Sequence, residues 1–335
     1  MINALVTPDA YLRLDPLAVT AVVPACDSGQ MPELDPNDEQ RHTPGAEPFW
    51  NESYYLDFFD AEGGLGGYVR VGLYPNLDAV WYWACLVGPD RRLVTVVDHD
   101  VPLPAKDDSL QLHHAALWAD NVIEKPTEHM RVALEAHAVS LDDPADTYRG
   151  LRGDKVPLAM ELDWETDRSA YRWPPIQDRY EIPCRVSGEI QLAEGTIEFD
   201  GWGQRDHSWG VRDWWTMPWH WDAGRLDDGT RFHCSGGFGP GSEIGFGYIL
   251  PAGSDTFEDV TSVVVDADLG DEGIPLKGQV EMNDLSLEVE PIAWSPVLLV
   301  APDGRESRFP RAMARFTASD GRKGLGWVEW NQPQP

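Results

Sequence analysis

Through most of the chain apolar and polar side chains alternate every second residue, in short runs broken by Gly, Pro and Asp. Period two marks strands with one buried face, because successive side chains leave a pleated backbone on opposite sides. Residues 54–75, YYLDFFDAEGGLGGYVRVGLYP, predict two strands joined by a turn through residues 63–67. Residues 79–101, AVWYWACLVGPDRRLVTVVDHDV, predict a second hairpin about Gly88, Pro89 and Asp90. A third covers residues 189–203, EIQLAEGTIEFDGWG, and a fourth residues 219–238, WHWDAGRLDDGTRFHCSGGF, about Asp227, Asp228 and Gly229. Hairpins this closely spaced favour a barrel or sandwich, so the fold class is mainly β. One helix candidate stands out, residues 126–138, PTEHMRVALEAHA, although its alternation equally fits a strand.

Residues 140–175 are rich in Asp, Arg, Pro and Trp and lose the alternation, which suits an interdomain connection. Two prolines, Pro174 and Pro175, interrupt any regular element. The domain boundary is placed there, with domains over residues 41–175 and 176–335. The Pro- and Asp-rich first 40 residues predict an irregular arm. A chain of 335 residues can bury a sizeable core in one large or two ordinary domains.

Lys and Arg number 26 against 57 Asp and Glu, a net charge of -31. Phosphate backbones and anionic membrane surfaces are repelled by such a chain, so no nucleic-acid partner is expected. Cys26, Cys85, Cys184 and Cys234 lie far apart, with no zinc-ribbon spacing and no dense disulfide framework, as befits a reducing cytosol. Asp9, Arg13 and Asp15 stand where a signal peptide needs an unbroken apolar stretch, and the apolar run over residues 18–23 is too short to span a bilayer. A cytoplasmic protein without membrane insertion is expected.

Six of the 15 Trp fall between Trp202 and Trp221. Such a cluster is either a core plug or an aromatic wall for an apolar or cationic ligand. Residues 201–215, GWGQRDHSWGVRDWW, add polar groups to it. On an extended segment Arg205, His207 and Trp209 share one face and Asp206 takes the other. His207 in apolar surroundings is a proton donor or acceptor near neutrality, with Asp206 as its acid-base partner. Trp209, Trp214, Trp219 and Trp221 form the candidate wall, while Arg205, Arg212 and Asp213 suit structural ion pairs that lock the loop.

In the fourth hairpin, alternation puts Trp219 and Trp221 on one face and His220 and Asp222 on the other. A two-residue turn sets His233 opposite Asp222, making His233 a second proton relay and His220 and Asp222 substrate contacts. A three-residue loop breaks that register. Asp98, His99 and Asp100, with His113 and His114, are metal-ligand types without a ligand spacing, so no metal is expected. Neither GxGxxG nor GxSxG occurs, so neither nucleotide binding nor Ser-hydrolase chemistry has support, and no cofactor is expected.

The stretch GWGQRDHSWGVRDW, preceded by GEIQLAEGTIEFDG, resembles the DHxWG-type motif of the AttH and carotenoid 1,2-hydratase (CrtC) group. That two-domain, lipocalin-like superfamily also holds Diels-Alderase-type pericyclases. Residues 49–76, FWNESYYLDFFDAEGGLGGYVRVGLYPN, are similar to the first strands of the group's N-terminal domain, and the resemblance covers about residues 49–330. It implies two lipocalin-like antiparallel β-barrel or curved-sheet domains packed together, with a hydrophobic cavity and the motif near their junction. It also implies acid-driven protonation of an alkene, with His207 and Trp209 matching the motif's site residues and indole faces steadying a carbocation. The hydratases' later Tyr-x-Asp pair is replaced here by RFHCSGG, with His233 and Ser235 as the nearest polar pair, so a carotenoid is not the expected substrate.

The expected function is a cofactor-independent enzyme that hydrates, dehydrates or isomerises a C=C bond in a hydrophobic terpenoid, steroid or polyketide-like molecule. A non-catalytic carrier or sensor of such a ligand stays open, as does a pericyclase that holds a reactive conformer. Homodimerisation is likewise open.

Overall fold

A computed structural model describes residues 34–106, 109–238, 242 and 245–335. The expected arm up to residue 33, with Cys26 and the apolar run over residues 18–23, lies outside them.

Strands β1 (Trp50–Asp60), β2 (Gly66–Tyr74), β3 (Ala79–Val87) and β4 (Leu93–Val101) realise the first two expected hairpins. They are followed by β5 (Gln111–His114), β6 (Leu117–Lys125), β7 (His129–Leu141) and β8 (Asp154–Thr166). Then come β9 (Tyr171–Arg172), β10 (Asp178–Leu192) and β11 (Gly195–Val211), the last two forming the third hairpin. These eleven strands make one antiparallel sheet in the order β4-β3-β2-β1-β11-β10-β8-β7-β6-β5, with β9 on β10. Pairing of β4 with β7 curls the sheet back on itself.

The second antiparallel sheet opens with the fourth hairpin, β12 (Trp219–Leu226) and β13 (Arg231–Gly237). It continues through β14 (Gly245–Leu250), β15 (Glu258–Val260), β16 (Val263–Leu269), β17 (Pro275–Met282) and β18 (Leu285–Trp294). It ends with β19 (Val297–Val300), β20 (Glu306–Phe309), β21 (Arg311–Ala318) and β22 (Lys323–Pro333). The fold is mainly β, as expected, in two large antiparallel sheets.

Two expectations are corrected. The helix candidate at residues 126–138 is largely strand β7. Met130, Val132, Leu134, Ala136 and Ala138 point inward while Glu135 and His137 are exposed, and β6 and β8 supply backbone partners on both sides. Period two thus prevails over the helical preference of Ala, Leu and Glu. Pro174 and Pro175 do not divide the sheets. They turn β9 back onto β10, where Arg172 pairs with Tyr180, and the change of sheet falls later, between Val211 and Trp219.

Apolar side chains gather in three clusters. One lies on a face of the first sheet around Leu56, Val69 and Ile182, and one on a face of the second around Phe232, Val289 and Phe316. Between them a third draws on both sheets, joining Tyr55, Tyr68 and Trp83 to Trp221, Tyr248 and Trp327. Trp202, Trp214, Trp215, Trp219 and Trp221 all belong to this middle layer, whereas Trp209 packs on the first cluster. The Trp-rich stretch is therefore mostly an inter-sheet core.

The glycines of GWG follow from a local bend. At Asp57 and Phe58 the carbonyls of β1 accept indole N–H groups, from Trp164 (2.7 Å) and Trp327 (3.1 Å), and the Asp57 side chain accepts from Gln204 N (2.9 Å). Strand β11 presses so close there that a Cβ on Gly203 would overlap the Asp57 carbonyl oxygen. Gly203→Ala should therefore lower stability by about 1–3 kcal/mol, seen as a lower urea midpoint at unchanged m-value.

Candidate active site between the two sheets

Strand β11 lies between β1 and β10, and its register decides what each side chain of the motif meets. His207 stands between Tyr54 and Tyr180, and Asp206 between Tyr55 and Glu181. Adjacent residues face opposite sides of a strand. Arg205, His207 and Trp209 thus enter the first sheet's own interior, while Asp206 and Ser208 face the second sheet. The expected parity holds, but the expected acid-base pair does not. With the sheet between them, Asp206 and His207 cannot serve one reacting centre.

Asp206 and Ser208 border a cavity of about 30 Å³ between the sheets, room for a water or a carboxylate group. Trp83, Trp214, Trp219 and Phe309 wall it, and Arg70, Arg179, Arg212 and Arg311 supply cations. Arg179 donates from Nη2 to Asp206 Oδ2 and from Nε to Glu181 Oε1, both at 2.7 Å, with its guanidinium 4.4 Å from the Trp173 ring centre. From the second sheet, Arg311 donates from Nε to Glu329 (2.8 Å) and lies 3.7 Å from the ring centre of Tyr68 and 4.7 Å from that of Tyr55.

Burial pushes the Asp206 carboxyl up to about 7, against the pull of Arg179 and with the help of Glu181 and Glu329. A carboxyl poised there can both give and take a proton near neutrality. Burial raises Glu181 as well, although Arg179 opposes it.

The opposite face of β11 carries a separate polar cluster. His207 donates from Nε2 to Glu52 Oε1 (3.1 Å), meets the Tyr180 hydroxyl at Nδ1 (3.2 Å) and stacks 4.0 Å from Tyr54. His42 stacks 3.7 Å from Trp209 and donates from Nδ1 to the same Glu52 oxygen (2.7 Å). Burial works to raise Glu52, yet the bonds from His207 and His42 prevail and hold it below the usual carboxylate range.

Among the described residues, His42, Glu52 and His207 offer metal-ligand atoms within 4.8 Å of one another, as do His220, Asp222 and Cys234. The sequence-level metal types do not converge: His114 pairs with Asp98 (2.8 Å), and His99 accepts from Trp83 Nε1 (2.8 Å).

The fourth hairpin takes the longer loop. Leu226 N bonds to Thr230 O, leaving Asp227, Asp228 and Gly229 between the strands, so Ala223 pairs with His233 and Asp222 with Cys234. His233 therefore shares a face with Trp221 instead of Asp222. Its Nδ1 donates to the Asp222 carbonyl (2.7 Å) and its Nε2 accepts from Trp173 Nε1 (3.2 Å). Burial, aided by Arg179, pushes His233 down to about 3, so it stays neutral with both nitrogens occupied. Such a ring does not serve as a proton relay. Trp221 donates to Glu181 (3.2 Å), behind Arg179. His220 and Asp222 bond each other (3.0 Å) beside Trp330, on the second sheet's own core face.

Of the residues expected to form ion pairs within the loop, Arg205 pairs outside it, while Arg212 and Asp213 bond to neutral groups. Arg205 pairs with Glu39 (2.5 Å), Arg212 donates to Ser208 Oγ (3.1 Å), and Asp213 accepts from Trp215 N (2.8 Å). Sequence reasoning missed Arg70, Arg179, Arg311 and Glu329. Their signal is a lone charge inside an apolar strand, as in YVRVGLY and WVEWN, which marks a buried and therefore partnered group.

Residues 35–334 match the family model described as "Domain of unknown function (DUF7064)". No curated protein matches the chain. The fold is similar to that of an AttH structure from Nitrosomonas europaea, at 13% identity and TM-score 0.64, over 89% of this chain and 96% of that one. It is also similar to kievitone hydratase from Nectria haematococca (10%, TM-score 0.58, 84% and 88%) and to CghA (9%, TM-score 0.54, 85% and 88%). At these identities the likeness is one of fold, and it bears out the mainly β, lipocalin-like fold class of two large antiparallel sheets.

Breaking one buried pair while leaving its partner charged is costly. Glu329→Gln should lower stability by about 3–5 kcal/mol, whereas Arg311→Met with Glu329→Leu should recover most of that loss. Urea midpoints of the single and double variants measure it.

Proposed function

The chain belongs to the DUF7064 family, and we propose that it is an enzyme that hydrates, dehydrates or isomerises a C=C bond in a hydrophobic small molecule, with Asp206 as acid and base. One observation carries this reading: a carboxyl raised to about 7 at a cavity walled by Trp83, Trp214, Trp219 and Phe309. The fold shared with a protein named kievitone hydratase agrees with the reaction class.

In the addition direction Asp206 gives its proton to one alkene carbon. Water adds to the other carbon and returns a proton to the carboxylate, and elimination is the reverse. In isomerisation the returning proton comes from a neighbouring carbon. Arg179 occupies Oδ2, which leaves Oδ1 to carry the proton. The cavity admits only the reacting end of the molecule, so Trp219, the half-buried member of the wall, would have to move aside for the apolar remainder. A carrier needs the same wall but has no use for a carboxyl poised at neutrality.

Mass spectrometry of small molecules extracted from the purified protein identifies the compound to assay. In D2O, turnover should place deuterium on carbon. Asp206→Asn should cut the rate by about 10²–10⁴-fold with binding and folding retained. Because the acid works protonated and its pKa lies above the usual Asp value, the rate should fall as pH rises through about 7. Wild-type rates in Asp206→Asn would refute the assignment, and binding without any product would make the protein a carrier.

A further inference from the structure

We infer that the cavity between the sheets binds an anionic oxygen group of the substrate, of the carboxylate class, through Arg70 and Arg212. This deepens the proposed function and rests on reading that cavity as the substrate site.

Arg70 on β2 is 4% exposed, and its Nη1 and Nη2 have no hydrogen-bond partner. Its neighbours at the cavity are matched, Arg179 by Glu181 and Asp206 and Arg311 by Glu329. Arg70 has no such carboxylate: its hydrogen-bonding neighbour is the Tyr74 side chain, and its guanidinium lies against aromatic faces, 4.3 Å from the Trp83 ring centre and 5.5 Å from that of Trp214. Gly72, on the same face of the strand, leaves the space, for a Cβ there would collide with the guanidinium. Arg212 is similarly short of partners. It donates to Ser208 Oγ, but its buried Nε bonds to nothing and its guanidinium stands 5.4 Å from the Trp214 ring centre. Burial, with Arg179 and Arg70 close by, pushes Arg212 down to about 10.

A guanidinium out of water without a counter-charge is costly, and natural proteins seldom bury one unmatched. Four guanidiniums here face the carboxylates of Asp206 and Glu329 around one cavity, with Glu181 behind Arg179 as the third carboxylate, in a chain whose net charge is -31. The surplus is local, and a planar oxyanion fits the fork of an arginine. Such a field opposes a carbocation and favours negative charge on oxygen. The C=C bond that Asp206 protonates is therefore one adjacent to an acidic or carbonyl oxygen, not an isolated alkene.

Calorimetric titration of the full chain with benzoate, and with its neutral isostere benzamide, tests the inference without turnover. Benzoate should bind at least roughly tenfold tighter. Arg70→Met should erase that difference and raise the Tm of the unliganded protein, since an uncompensated buried charge has gone. Arg212→Gln should narrow the gap. Equal binding of the two probes, no binding of benzoate to the wild type, or an unchanged gap in Arg70→Met overturns the inference. If Arg70→Met does not fold, the wild-type comparison and Arg212→Gln decide alone. Failure here leaves the Asp206 turnover test intact, and failure of that test leaves the binding result standing.

Discussion

Guanidinium–carboxylate contacts buried between the two sheets set the terms for everything else in the molecule. Arg179 bridges Glu181 and Asp206 on the first sheet, and Arg311 meets Glu329 on the second while lying across Tyr68 and Tyr55 of the first. Charges out of water lose their hydration and regain it only through well-placed partners, so such pairs tolerate little displacement. The surrounding bonds satisfy that demand. Trp221 and Gln204 complete Glu181, Tyr248 completes Gln204, and Trp327 reaches across to the Phe58 carbonyl. An apolar interface could slide by a residue at modest cost, but this one has a single register in which its donors find acceptors.

The same strictness explains how β11 carries two kinds of chemistry back to back. Tyr54, His207 and Tyr180 line up across three strands on one side, and Tyr55, Asp206 and Glu181 on the other. One residue of register separates a histidine saturated by Glu52 and Tyr180 from a carboxyl raised by burial at a cavity. The sheet is the wall between them. It leaves the His207 cluster to anchor Glu39, Arg205 and His42 around the first barrel's interior.

How much of this was legible in the chain depends on distance along it. The four hairpins were readable because period two and turn residues are local, and so was the split of Asp206 from His207, which needs only strand parity. The register of the fourth hairpin was not. Asp227, Asp228 and Gly229 suit both a two-residue turn and a three-residue loop, and the choice moves His233 from one face to the other. Residues 126–138 stayed ambiguous because Ala, Leu and Glu suit helices, while the Met130–Ala138 alternation suits a strand between two partners. The grouping of charges around Asp206 was not legible, even though a lone charge in an apolar strand marks single members of it. Arg179 and Glu181 share a hairpin with it, but Arg70, Arg311 and Glu329 come from three other strands, and no local pattern links them.

The raised carboxyl and the unmatched arginines are two aspects of one balance. Burial favours the neutral form of Asp206, while Arg179 and, more weakly, Arg212 hold it toward ionisation. An anion seated on Arg70 and Arg212 would cancel part of that positive field and add a negative charge nearby, and both effects favour the protonated acid. Binding and protonation then reinforce each other, as linkage requires in both directions. An anionic substrate would thus load its own proton donor on entry, while in its absence the same arginines would hold the carboxyl partly ionised and at rest.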